Sequence, residues 1–333
     1  MREYRAWTLE EVLSYLEQPA DTLILFHRNP DADAVGSAFA LRRVLRELGS
    51  RAFCVCESEV PERLRFLMDR EQKSVLPSAI PEGLDVHRVI CVDTASPSQL
   101  GELWELYGEW IDLSIDHHSS CSVFSDHYIS TEAAATGEIL FDLCRQLANE
   151  GRITVTEELC TALYAAISSD TGGFRYSNVT PETHLRAAEL LAGGIDAAEI
   201  NHRLFESKSM ELLRAESAGI SNLHLFADGR IAVITFPYAL KVALALSDEH
   251  LGTLVELARS LDGVKVAVAI RQSGASGVFR VSVRSSCAYD VAALCAQFGG
   301  GGHEKAAGCT VTAADIDEAM SKLVDCIRED ELI

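Results

Sequence analysis

Eight aspartate and histidine side chains fall in four short clusters along the chain: His27, Asp31 and Asp33 in HRNPDAD, Asp93 in VDTA, Asp116, His117 and His118 in succession, and Asp170 in SSDTGG. Carboxylate oxygens suit hard divalent cations, and manganese also accepts imidazole nitrogen. Brought together without metal, four aspartates would repel one another and their pKa values would rise. Two divalent ions would neutralise Asp31, Asp33, Asp93 and Asp170, and two neutral histidines would complete a ligand set of zero net charge. Such paired ions sit roughly 3.5–4 Å apart and share a nucleophilic water. Each cluster alone is unremarkable, since Asp-x-Asp is commonest in solvated loops and His-His on ordinary surfaces. The chemistry lies in the joint pattern.

That pattern needs a scaffold that brings the clusters to one place. In open α/β sheets, sites form beyond the carboxyl ends of the strands. Short apolar runs of strand length occur at TLILFH (22–27), RAFCVC (51–56), HRVICVD (87–93) and IDLSID (111–116). Between the first two, Ala38, Leu41, Leu45 and Leu48 recur at helical spacing, and Gly49 ends the helix. Alternating strands and helices predict a parallel sheet covered on both faces. His27 to Asp33, Asp93 and Asp116 to His118 then follow strand ends. Asp170 follows a helix over 157–168. Further helices are predicted at 132–148 and 182–192. Thr180-Pro181 opens the latter and Gly193-Gly194 stops it, and Asp196 with Glu199 forms a capping-box pattern for the next.

The chain has 333 residues, more than one core usually serves. A first domain is predicted over 1–205, a polar helical connector over 206–222 and a smaller α/β domain over 223–333. In the latter, HLFADGRIAVITF reads as two strands joined at Asp228-Gly229. VKVAVAIRQ and GVFRVSVRS read as further strands, with helices at 290–298 and 314–328.

The net charge of −21 disfavours long polyanions, which broad basic surfaces usually hold. A phosphate substrate must then be gripped locally, which favours short RNA or small nucleotides over long duplexes. No apolar run approaches a membrane span, and the N-terminus lacks the apolar core of a secretory signal, so no membrane partner is expected and the cytoplasm is the expected compartment. The ten cysteines include no C-x-x-C pair and read as reduced, mostly buried groups, with Cys54 and Cys56 on one face of a strand. A homodimer is compatible with the sequence, which does not specify one.

Taken together, HRNPDADAVGSA (27–38), VDTA (92–95), Asp116-His117-His118 and SSDTGGFRYSN (168–178) resemble the successive motifs of the DHH phosphoesterase family. The resemblance implies that His27, Asp31 and Asp93 hold one metal ion and that Asp33, Asp93, His117 and Asp170 hold the other, with Asp93 bridging. It implies that His118 faces the substrate phosphate and that Asp116 orients a histidine. Two divalent ions are the expected cofactors, manganese ahead of magnesium. Arg175 and Asn178 in the last motif either approach substrate or brace the loop.

Downstream, Gly299-Gly300-Gly301-Gly302-His303-Glu304-Lys305-Ala306-Ala307-Gly308 resembles the glycine-rich loop of the DHH-associated domain. Consecutive glycines let backbone N–H groups approach a phosphate closely. Gly300, Gly301, Gly302 and His303, with Arg284 as a guanidinium clamp, are the expected substrate grip. Short substrates would span the two domains. Pyrophosphatases of the family carry a basic cluster in a different second domain. RecJ-type exonucleases carry an added nucleic-acid-binding domain, and membrane-anchored cyclic-dinucleotide phosphodiesterases carry transmembrane and sensory segments. The stand-alone nanoRNase branch fits this chain. Its members degrade very short RNAs, remove the 3′-phosphate of adenosine 3′,5′-bisphosphate (pAp), or cleave cyclic di-AMP and its linear product. A non-catalytic nucleotide sensor is the competing class. It would be expected to have lost metal ligands, and all six ligand positions are present.

Overall fold

The computed structural model describes residues 4–119, 121–274 and 277–328. The chain divides into two compact units, Met1–Ser207 and Lys208–Ile333.

The first unit contains strands β1 (Thr22–Leu25), β2 (Ala52–Val55), β3 (Arg88–Val92), β4 (Leu113–Asp116) and β5 (Asp126–Ile129), and helices α1 (Leu9–Leu16), α2 (Ala32–Glu47), α3 (Glu102–Tyr107), α4 (Thr136–Asn149), α5 (Glu157–Asp170), α6 (Pro181–Ala192) and α7 (Ala197–Asn201). Its sheet runs β2-β1-β3-β4-β5, with every pairing parallel. β1 to β4 are buried along their whole length. Unbroken apolar runs are expected where helices cover both faces of a parallel sheet. Successive residues point to opposite sides: Ile24, Ile90 and Ile115 join one core, and Leu23, Leu25, Val89 and Cys91 the other. β5 was absent from the sequence reading. Its residues are only partly buried, so DHYI lacks the apolar run that marked the others.

Because all five strands run the same way, the ends of β1, β3 and β4 emerge along one edge. α2 leaves that edge from Asp31, whose side chain caps it by accepting from the Ala34 amide at 3.0 Å. Asp33 therefore sits in the first turn of a helix that is buried along most of its length.

The second unit contains helices α8 (Met210–Ser221), α9 (Tyr238–Ala243), α10 (Leu254–Arg259), α11 (Val291–Ala296) and α12 (Ile316–Arg328) and strands β6 (Leu223–Phe226), β7 (Ile231–Phe236), β8 (Val266–Gln272), β9 (Val278–Ser285), β10 (Gly301–His303) and β11 (Ala306–Thr312). The sheet order is β10-β11-β9-β8-β7-β6, with only β7 and β8 parallel. The stretch read as a connector is α8, a helix of this unit: Ala215 is buried with Ile234 and Leu254, and Gly219 lies against the same two side chains. β9 alternates, with Phe279, Val281 and Val283 facing the core and Arg280, Ser282 and Arg284 facing away.

All ten cysteines are free, and Cys54 and Cys56 share one core. Among the described residues, no helix is long and apolar enough to cross a membrane.

Candidate metal centre

His27 follows β1, Asp31 and Asp33 open α2, Asp93 follows β3, Asp116 closes β4 with His117 and His118 after it, and Asp170 ends α5. The fold brings all eight together. His27 Nε2 lies 3.7 Å from Asp31 Oδ2 and 3.6 Å from Asp93 Oδ2. His117 Nε2 lies 3.8 Å from Asp33 Oδ2, 3.7 Å from Asp93 Oδ1 and 3.3 Å from Asp170 Oδ2. Two atoms that each ligate one ion at about 2.1 Å lie roughly 3.0–3.4 Å apart, so these spacings suit a divalent ion after slight contraction. The two oxygens of Asp93 serve different neighbours: Oδ2 turns to His27 and Oδ1 to His117. One carboxylate thus divides the cluster into two ligand sets.

Asp33 is fully buried, Asp93 is 2% exposed and His117 5%. Burial, with Asp93 and Asp170 close by, pushes the Asp33 carboxyl well above its ordinary range. Burial followed by the neighbouring aspartates raises Asp170 to about 6, against the opposing pull of His117. Burial alone would lower His117, but Asp170, Asp33 and Asp93 outweigh it and carry the imidazole up to about 11. His27 rises well above its ordinary value by the same competition, through Asp31 and Asp93. The buried cluster thus holds more negative charge than its surroundings can solvate, and it draws protons in compensation. Divalent cations would supply that charge instead, so the donor set fits a pair of them.

Asp116 has a different role. It is fully buried, and its Oδ1 accepts from the His117 amide at 2.7 Å, from the His118 amide at 3.2 Å and from His118 Nδ1 at 2.7 Å. A carboxylate held this way fixes the ring of His118 and leaves Nε2 as its second functional nitrogen.

The sequence reading missed a segment that reaches half of these groups: Asp33, Asp93 and His117 directly, and Asp170 through Asn178. His117 Nδ1 donates to the Ala133 carbonyl at 3.3 Å. The Thr136 and Gly137 amides donate to Asp33 Oδ2 and Oδ1 at 2.7 and 2.9 Å, and the Thr136 hydroxyl donates to Asp93 Oδ1 at 3.0 Å. Asn178 Nδ2 ties the Ala134 carbonyl to that of Asp170, each at 3.1 Å. Asn178 therefore braces the loop, as does Arg175, which donates to the Gly172 carbonyl. The available signal was Thr-Gly-Glu opening an amphipathic helix after three alanines, which reads as ordinary helix initiation.

In the second unit, Arg284 and His303 both lie opposite Ala306, on either side of β11, so the three form one row across the sheet. Gly301 lies two rows along, opposite Gly308, which also faces Ser282. Arg284 is already engaged: Nε donates to Glu256 Oε1 at 2.8 Å and Nη1 to the Val283 carbonyl at 3.1 Å. The glycine run is not a free loop but the turn into edge strand β10. The Gly300 amide donates to the Cys295 carbonyl at 2.9 Å, so it is not available to a phosphate as the sequence reading had it. A Cβ on Gly300 would lie 2.2 Å from the Gly308 carbonyl oxygen, so close backbone packing requires that glycine. Gly301 has open space where a side chain would be.

Comparison with known proteins agrees with this architecture. Residues 21–167 match the DHH family, N-terminal domain, and residues 236–329 match the DHHA1 domain. The chain is 32% identical, over 96% of its own length and 92% of the relative's, to the bifunctional oligoribonuclease and PAP phosphatase NrnA of Thermus thermophilus. It belongs to the DHH family. A cyclic-di-AMP phosphodiesterase, GdpP of Geobacillus thermodenitrificans, is 25% identical over 98% of this chain but only 50% of its own length. Among solved structures, an exopolyphosphatase-related protein from Bacteroides fragilis superposes with a TM-score of 0.85 at 22% identity, covering 96% of this chain and 95% of that one. That likeness shows the fold across both units.

Proposed function

We propose that this chain is a two-metal phosphoesterase that hydrolyses short oligoribonucleotides and the 3′-phosphate of 3′,5′-bisphosphonucleotides such as pAp, with manganese preferred over magnesium. The observation that carries the reading is Asp93, whose two oxygens face two separate ligand sets. The set of His27, Asp31 and Asp93 would hold one ion, and the set of Asp33, Asp93, His117 and Asp170 the other. Bound there, a pair of divalent ions supplies Lewis-acid stabilisation of phosphoryl charge and an acidified water.

The chain's own residues do the rest. Asp116 fixes the His118 ring, whose Nε2 contacts the scissile phosphate and moves a proton as the leaving oxygen departs. Asp33 and Asp93 are held by hydrogen bonds before substrate arrives, so little reorganisation accompanies reaction. Arg284, Gly301 and His303 are the proposed grip on the distal part of the substrate, with Gly302 serving the hairpin beside them. The 32% identity to an oligoribonuclease and PAP phosphatase over nearly both full lengths supports this substrate class above cyclic di-AMP, whose phosphodiesterase matches over half its length.

The test is steady-state turnover, with manganese and with magnesium, of di- to pentaribonucleotides, longer single strands, pAp and cyclic di-AMP. The expected result is the highest kcat/KM on substrates of about two to five nucleotides and on pAp, falling steeply with length, in keeping with the net charge of −21. A flat or rising profile out to tens of nucleotides would reject the length preference. Preferred cleavage of cyclic di-AMP would move the enzyme to the cyclic-dinucleotide class.

A further inference from the structure

Helix α4 begins without a side-chain cap of its own. Its N-cap residue is Ala135, which offers no acceptor. Helix starts leave amides in need of partners, and here the partner comes from another helix: both oxygens of Asp33 accept the first two amides of α4, Thr136 and Gly137. The Ser37 hydroxyl adds a third bond to Asp33, 3.0 Å from Oδ1. Asp33 is therefore both a metal-ligand candidate and the cap of α4, and its orientation is set by where α4 starts.

Thr136 extends this control to the shared carboxylate. It is fully buried, and its hydroxyl donates to Asp93 Oδ1, the oxygen on the His117 side. Asp93 also needs holding by its backbone, which adopts φ 51°, a left-handed conformation costly for a residue with a side chain. A carboxylate free to rotate there would not keep one oxygen toward each ligand set. The space admits little substitution: a Cβ on Gly137 would meet the Ala166 Cβ at 2.5 Å. The same five residues also fix His117, through the Ala133 carbonyl, and Asp170, through Asn178.

We infer that the Ala133–Gly137 segment is the positioning element of the second ligand set, and that the Thr136 hydroxyl, through Asp93, sets the geometry shared by the two ions. This rests on the two-metal reading above. Thr136 is a positioning residue, since it reaches the reacting groups only through Asp93 and Asp33.

The experiment compares the full chain with Thr136→Val, which keeps shape and loses the hydroxyl, Thr136→Ser, which keeps the hydroxyl, and Thr136→Ala. Manganese binding is followed by calorimetry and by electron paramagnetic resonance, in which a coupled ion pair differs from isolated ions. Melting in chelator checks that each variant folds. The inference expects Val and Ala to bind the second ion roughly 10–100-fold more weakly and to lose the coupled signal, with the first ion kept and Ser close to the parent protein. If Val fails to fold, Ala against Ser decides. Val or Ala binding two ions with unchanged affinity and coupling would overturn the inference, as would Ser losing the second ion as fully as Val. A parent protein that binds fewer than two manganese ions would instead overturn the two-metal reading itself.

Discussion

The ends of β1, β3 and β4 and the outer face of β9 to β11 carry the two sets of functional candidates, and they are built on opposite terms. In the first region Asp33, Asp93, Asp116 and His117 are buried and the other groups partly so, the strands are parallel and the carboxylates are held by protein donors: Asp33 by two amides and a hydroxyl, Asp93 by Thr136, Asp116 by His118. In the second, the sheet is largely antiparallel, one face of β9 is exposed to partly exposed, and Arg284 answers to Glu256 at 2.8 Å. Burying carboxylates close together is costly unless cations offset them, so such a site must be rigid and complete. A surface guanidinium with a carboxylate partner keeps its solvation and is worth little to stability. It can exchange that partner for a phosphate at small cost. The proposed division of labour, chemistry in the rigid region and grip in the adaptable one, follows this contrast.

The largest effect is expected from Asp93→Ala. Removing the carboxylate common to both ligand sets should abolish binding of both ions and lower kcat/KM by roughly 10³-fold or more. In the parent protein, manganese at about a hundredfold over its Kd should add about 2.7 kcal/mol to the stability of the first unit, and chelator should reverse this. Calorimetric titration and melting with and without manganese check both. Full turnover in excess chelator, with metal content measured as nil, would refute the rigid half of the comparison.

His118→Ala should come next. Its Nδ1 is committed to Asp116, and neither proposed ligand set includes it. Two ions should still bind, with kcat down by roughly 10²-fold and KM little changed. His117→Ala, one residue away, should instead weaken one ion. Equal metal loss in the two variants would erase the distinction between ligand and substrate-facing histidine.

Arg284→Ala should have the smallest of these effects. Loss of a charge-assisted phosphate contact costs about 1.5–3 kcal/mol, or roughly ten- to a hundredfold in kcat/KM, chiefly through KM, with metal binding intact. Glu256→Gln sharpens the point: if the pair merely parks the guanidinium, freeing it should change KM by less than about fivefold. Loss of metal in Arg284→Ala would show that the two regions are not separate in function.

The glycine run shows where sequence reading fell short. Four glycines in succession suggest a phosphate cradle, yet the Gly300 amide is spent on the Cys295 carbonyl, and a close approach to Gly308 dictates its lack of a side chain. Composition records that a side chain is missing, not which backbone passes nearby. The Ala133–Gly137 segment failed to register for the reverse reason. Apart from the Thr136 hydroxyl, it acts through main-chain amides and carbonyls, which every residue has and which no choice of residue types advertises.

By itself the sequence determined the parallel character of the first unit's sheet and four of its five strands, because β1 to β4 are continuous apolar runs and a helix of clear periodicity separates the first two. It also determined the identity of the ligand candidates, because carboxylate and imidazole at successive strand ends have few other uses. Only the tertiary structure decided which oxygen of Asp93 faces which histidine, that Asp33 caps a helix some hundred residues later in the chain, and that Arg284 and His303 share a row through Ala306. These are matters of orientation and long-range register. They depend on how packed elements meet at distances of a few ångströms, and residue spacing along a chain does not encode them.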